Sequence, residues 1–312
     1  MNFKLFHQLR STFTLVGFII GGSAYAQQQP MYSQYMFNML NINPAYAGNR
    51  EAVNINMLYR NQWAGFPGAP KTGSISYDER KAGSNVGYGL QLYSDRIGIE
   101  KTTGVQGFYS IKVPFEQSTL SIGLGFGLLN YQQNLQATNP FVAGDPTLQN
   151  VTNGFLPSAS LGFLYSRKHW YIGLSSPALL KTKINAQNQA DIRYSGAEGH
   201  YFLTSGYNFD LSENIKLKPS VLLKAVSGAP VQTDLNMNVW FNDILGFGVS
   251  YRLEQSYLSM LELQMTPQIR LGYSYDYNFS NLVSNNRSTH ELMLRFEIGS
   301  KKSPSLASPR YF

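Results

Sequence analysis

Ser118 to Leu128 reads STLSIGLGFGL, and Ile269 to Phe279 reads IRLGYSYDYNF. In the first stretch Leu120, Ile122, Leu124, Phe126 and Leu128 interleave with Ser121, Gly123, Gly125 and Gly127. In the second, Ile269, Leu271, Tyr273, Tyr275, Tyr277 and Phe279 interleave with Arg270, Gly272, Ser274, Asp276 and Asn278. A period of two is that of a β-strand, whose successive side chains point to opposite faces. One face is apolar and the other polar or glycine, the pattern of a strand with lipid outside and a polar lumen inside. A soluble β-sandwich also alternates, but it must cover each apolar face with a second sheet. This chain has too many one-faced strands of about ten residues for that.

Composition agrees with a membrane barrel. The 312 residues include 21 Tyr, 19 Phe and 28 Gly, and only 14% are charged, against about a quarter in soluble domains. Mean hydropathy is nevertheless −0.23. Beyond the first 26 residues no apolar run approaches the roughly 20 residues a membrane helix needs. Strands alternating between lipid and lumen satisfy both facts. Candidate strands fall near residues 52–62, 71–79, 84–94, 101–113, 118–130, 155–166, 168–176, 200–209, 215–226, 231–242, 244–253, 256–265, 268–279 and 288–298. The predicted fold is all-β: a transmembrane, antiparallel, up-and-down barrel of about 14 strands. Connections after even strands are short, while Tyr131 to Gly154 and Pro177 to Gly199 follow odd strands. The short ones are assigned to the periplasm and the long ones to the cell surface.

At the amino end, Lys4 and Arg10 precede an apolar run from Phe13 to Ile20, and Ala24-Tyr25-Ala26 supplies the small residues of a signal-peptidase site. Cleavage is expected after Ala26, because about nine apolar residues are too few to span roughly 30 Å as a helix. The sequence then divides into a signal peptide (1–26), a periplasmic lead-in (27–51), an outer-membrane barrel (52–298) and a periplasmic tail (299–312). There is no cysteine, so neither a lipoprotein anchor nor a disulfide framework is possible. Removing the signal lowers the formal charge from +7 to about +5, with Lys and Arg dispersed rather than striped, which argues against nucleic acid as a partner.

The lead-in lacks periodicity but not character. Ser33-Gln34-Tyr35-Met36-Phe37-Asn38 is followed by Asn43-Pro44-Ala45-Tyr46-Ala47-Gly48, and then by Arg60-Asn61-Gln62-Trp63 with Pro70 and Thr72; the chain closes on Ser308-Pro309-Arg310-Tyr311-Phe312. In these motifs, at both ends and in this order, the sequence resembles the PorP/SprF family, outer-membrane proteins of the type IX secretion system of Bacteroidota. The middle of the chain matches in pattern only. The resemblance implies an accessory role in secretion or surface attachment of cargo with type B C-terminal domains, such as gliding adhesins. The partners it implies are outer-membrane lipid, other secretion components and an adhesin-like cargo protein. Carried over residue by residue, the candidate partner-binding positions are Tyr35, Phe37, Asn43, Pro44, Ala45, Gly48, Arg60, Trp63, Pro309, Arg310, Tyr311 and Phe312. Asn43, Pro44 and Gly48 have a plainer reading as shapers of the entry to the first strand. Both ends are expected on the periplasmic side, where the aromatic residues and Arg310 would face secretion components.

No catalytic motif emerges, and no cofactor or metal is expected. His290-Glu291 is followed by Leu294 where a zincin needs its second His, no Gly-x-Ser-x-Gly elbow occurs, and Gly123, Gly125 and Gly127 lie in a strand rather than at a helix start. His200 or His290 serving a hydrolase is the weakest alternative; a passive channel or hydrophobic-solute transporter is the stronger one. Inward charges such as Arg60, Glu262, Arg270, Asp276 and Arg295 are expected to pair across the lumen, and Trp63, Trp170 and Trp240 to sit in interfacial girdles.

Overall fold

The computed structural model describes residues 31–50, 52–137, 151–180, 183–184, 192–193, 199–226, 229–279 and 288–299. Its main strands are β1 (Val53–Asn61), β2 (Lys71–Glu79), β3 (Val86–Ile97), β4 (Glu100–Pro114), β5 (Ser118–Asn134), β6 (Val151–Arg167) and β7 (Trp170–Ala178). The second half adds β8 (His200–Tyr207), β9 (Ile215–Val226), β10 (Gln232–Phe241), β11 (Leu245–Arg252), β12 (Ser256–Gln264), β13 (Ile269–Asn278) and β14 (Ser288–Ile298). Each pairs antiparallel with its sequence neighbour, and β1 pairs with β14 from Val53↔Ile298 to Asn61↔His290. The sheet therefore closes into a 14-stranded barrel with no free edge.

The side-chain pattern is that of a membrane barrel. Along β1, Asn54, Asn56, Leu58 and Arg60 are buried while Met57 and Tyr59 face outward; along β5, Ile122, Leu124, Phe126 and Leu128 face outward and Ser121 inward. Exposed apolar side chains in a continuous outer band have lower free energy in hydrocarbon than in water, so lipid replaces the second sheet a sandwich would need. The outer band carries aromatic residues at both ends, with Tyr201, Tyr257 and Tyr277 at one level and Tyr88, Tyr109, Phe241 and Phe247 at the other.

Strands β4, β5 and β6, of 15, 17 and 17 residues, exceed the roughly 9–11 needed to cross, so they project beyond the membrane. This shortens the expected loop at Tyr131 to Gly154, because the ladder continues through Gln132↔Asn153 to Asn134↔Val151. Alternation of hydropathy ends where lipid ends, but backbone pairing does not. In the second long loop, Lys183–Ile184 pairs with Ile192–Arg193, and in the turn after β8, Phe209–Asp210 pairs with Leu217 and Lys216. The placing of the short turns, such as 115–117 and 242–244, at the end opposite the long loops 135–150 and 179–199 sets the periplasmic end.

Candidate functional site

The barrel lumen is filled by the chain's own residues 31–50. This segment makes three 3₁₀ turns, Tyr35–Phe37, Met39–Asn41 and Pro44–Tyr46. Asn43 caps the third by accepting the Ala45 N–H at 2.9 Å, with Pro44 fixed at its first position. Gly48, at φ +57, makes the left-handed turn toward β1 that a side chain would strain. The expected periplasmic lead-in is thereby corrected over its described part, since Tyr35, Phe37, Asn43 and Ala45 are 3, 8, 1 and 0% exposed. Single 3₁₀ turns satisfy only part of their own backbone groups, and the inward faces of the strands supply partners that water would otherwise provide.

Those partners come from around the whole wall. Glu291 on β14 accepts the N–H groups of Ser33 and Gln34, both at 2.8 Å. Asn236 on β10 donates to the Tyr35 hydroxyl at 2.6 Å, and Arg295 to the Phe37 carbonyl at 3.4 Å. Asn38 donates to Ser76 on β2 at 2.9 Å, and Gln91 on β3 to Asn41 at 2.8 Å. Ser110 on β4 donates to the Ala47 carbonyl at 2.6 Å, Asn43 to the Phe163 carbonyl on β6 at 3.1 Å, and Ser175 on β7 to the Ile42 carbonyl at 2.6 Å. Apolar contacts complete the circuit. Tyr35, Met36, Phe37, Met39, Ile42 and Tyr46 form one cluster with inward Leu164, Tyr171, Phe202, Leu222, Met260 and Met293. The hydrophobic core of this protein thus lies inside the barrel, around the segment.

Glycines make the room. A Cβ on Gly123 would collide with the backbone of Pro44 and Ala45, and one on Gly162 with the Asn43 side chain. The small inward residues read from the sequence are where the segment's backbone meets the wall.

Charges follow the same economy of partners. The fully or nearly buried ionisable side chains among the described residues are Asp78, Asp95, Asp234, Glu262, Asp276 and Glu291 with Arg60, Lys112, Lys218, Lys224, Arg252 and Arg295, besides His200. Acids and bases number six each in this buried set, and the less deeply buried Arg270 joins it at the periplasmic end. Arg60 lies 3.2 Å from Glu291 and 3.6 Å from Asp276, and Arg252 is 3.6 Å from Asp276 and 3.1 Å from Asp234, which Lys224 meets at 2.7 Å. Nearer the periplasm Glu262 lies 3.5 Å from Arg270 and 4.0 Å from Arg295. Arg60, Glu262, Arg270, Asp276 and Arg295 do pair, but along the wall, with partners on adjacent or next-but-one strands, rather than across the lumen as expected.

Trp240 corrects the girdle expectation. It is 2% exposed and faces the lumen, with the Arg270 guanidinium carbon 4.3 Å and the Lys218 ammonium 5.0 Å from its ring centroid. The alternation of β10 fixes this: Leu235, Met237 and Phe241 face lipid, so Trp240 shares the inward face with Asp234, Asn236 and Asn238. Trp170 is half-buried beside Tyr165 at the periplasmic end. Trp63 stands in the β1–β2 turn at φ 48, its N–H reaching Thr289 at 3.2 Å. His200 is buried on the lumenal face and His290 lies on the outer face against the Tyr273 hydroxyl at 2.7 Å, so the two share no site. No cluster of metal-ligating side chains occurs among the described residues. The signal region with Ala26, and the tail with Pro309, Arg310, Tyr311 and Phe312, lie outside the described residues.

The family model "Type IX secretion system membrane protein PorP/SprF" matches residues 24–296. The chain belongs to the PorP/SprF family. The PorP/SprF match spans the lumenal segment and nearly the whole barrel, and makes the chain an outer-membrane protein of type IX secretion. No curated protein sequence matches it. Among solved structures, the Acinetobacter baumannii outer membrane protein Omp33 is 9% identical, with TM-score 0.46 over 80% of this chain and 100% of that one. The Ralstonia pickettii toluene transporter TbuX is 9% identical, with TM-score 0.47 over 82% and 92%. The NanC porin is 10% identical, with TM-score 0.42 over 80% and 100%.

Proposed function

We propose that this PorP/SprF protein is a docking accessory of type IX secretion that handles adhesin-like cargo with type B C-terminal domains at the outer membrane, rather than a conduit. The observation that supports this is the filled lumen: residues 31–50 contact strands around the wall and occupy the path a solute would take. A passive channel, the competing reading, requires that segment to leave a cavity in which most of its side chains are buried. The surfaces left for partners are the outer loops, the periplasmic rim and the tail. Tyr35 and Phe37 are committed to the lumen, so the aromatic and basic contact proposed for the two ends falls to Pro309, Arg310, Tyr311 and Phe312. Aromatic residues and Arg are the types that anchor interfaces.

The test removes Ser308 to Phe312. A heat-modifiable barrel in the outer membrane with cargo lost from the cell surface is the expected result. Normal cargo display refutes the tail as an interface, and loss of the barrel assigns the tail to assembly.

A further inference from the structure

The outer wall around the β1–β14 closure is indented. An apolar groove of about 1010 Å³ runs along it, lined by the outward side chains Met57, Ile75, Leu92, Leu271, Leu292 and Leu294. Part of the depression comes from Gly73, on the outward face of β2, where an added Cβ would meet nothing within 4 Å. Elsewhere at the extracellular level the wall carries the aromatic band of Tyr201, Tyr257 and Tyr277.

Above the groove that band is replaced by cations. The strand registers place Lys71 opposite Arg96, and Arg96 opposite Lys101. All three are exposed on the outward face, and none has an ion-pair partner among the described residues. With strands about 4.8 Å apart, three positive charges stand in a row roughly 10 Å long. Like charges directly opposite in a sheet repel, so the row costs stability unless an anion sits against it. Two residues toward the periplasm, the outward positions are Gly73, Ser94 and Thr103; two more bring Ile75, Leu92 and Val105. The surface grades from cation to hydroxyl to hydrocarbon over about 13 Å of strand. A phosphorylated lipid of the outer leaflet grades the same way, from phosphate through its sugar or glycerol esters to acyl chains.

We propose that the row Lys71, Arg96 and Lys101 with the groove below it is a binding site for a phosphate-bearing acylated lipid of the outer leaflet. The cations take the phosphates, Ser94 and Thr103 face the ester region, and the acyl chains fill the indentation at Gly73. The site lies on the extracellular half of the wall by the barrel's short-turn and long-loop polarity, and it is independent of the cargo-docking role.

The test uses the full mature barrel in mild detergent, with bound lipid read by native mass spectrometry during titration with bis-phosphorylated lipid A. Wild type should retain lipid A at least tenfold better than its dephosphorylated form. The triple variant K71Q/R96Q/K101Q should lose that preference, while the periplasmic pair K81Q/K168Q keeps it. Gly73→Leu, which fills the depression and leaves the charges, should also weaken retention; it provides an independent reading if the triple variant proves not to be heat-modifiable. Equal retention by wild type and both site variants overturns the proposal. So does displacement of the bound lipid by inorganic phosphate alone, which would make the row a simple anion site.

Discussion

Replacing Glu291 by alanine tests the seat of the lumenal segment. The Glu291 carboxylate, 1% exposed, accepts the Ser33 and Gln34 N–H groups at 2.8 Å each and pairs with Arg60 at 3.2 Å. Removing one partner of a buried ion pair costs about 3–5 kcal/mol, and each buried N–H left without an acceptor costs about 1–3 kcal/mol. The terms overlap, because Arg60 keeps Asp276 at 3.6 Å and water can enter the space left by the side chain. The expected loss is about 4 kcal/mol, close to three powers of ten in the unfolding constant. That is too little to expel the segment. Burying each of Tyr35, Met36, Phe37, Met39, Ile42 and Tyr46 contributes about 1.5–3 kcal/mol, so the lumen should stay closed while the whole barrel becomes easier to unfold. Glu291→Gln, which keeps an acceptor and the shape, should cost less than half as much. Urea unfolding in lipid vesicles, followed by tryptophan fluorescence, measures both. A Glu291→Ala barrel within about 0.5 kcal/mol of wild type would refute the placement of Ser33 and Gln34 against β14.

Gly123→Val, whose Cβ falls on the Pro44–Ala45 backbone, should destabilise by about 1–3 kcal/mol in the same assay; Gly107→Val, with its nearest contact at 3.9 Å, should be neutral within about 0.5 kcal/mol. In planar bilayers the intact barrel should pass no steady current, whereas a variant lacking residues 31–47 should conduct; steady conductance by the intact protein would favour the channel reading. Epitope tags at Asn139 or Ala186 should be reached by antibody on intact cells and a tag after Asn242 should not, and equal labelling of both classes would reverse or break the assigned topology.

Period-two alternation was enough to determine the barrel and its strand number, because lipid outside and polar groups inside impose opposite demands on successive residues; its direction through the membrane came from the lengths of the connections. The candidate strands near 71–79, 215–226 and 288–298 coincide with β2, β9 and β14 for the same reason. Even the lumenal charges were legible as inward positions, though not their partners, which come from strands far apart in sequence, as Arg60 and Glu291 do. The filling of the lumen was decided only in three dimensions. Residues 31–50 have no periodicity, since 3₁₀ turns held by the wall need none, so their own sequence gives no direction. The available signal lay elsewhere, in inward Leu164, Phe202, Leu222, Met260 and Met293, which break the polar-inside rule. Large apolar residues facing a lumen require something to cover them, and here the covering chain is the protein's own amino-terminal segment. The cationic row on the outer wall has the same origin: Lys71, Arg96 and Lys101 are scattered in sequence and become neighbours only when strand register sets them side by side.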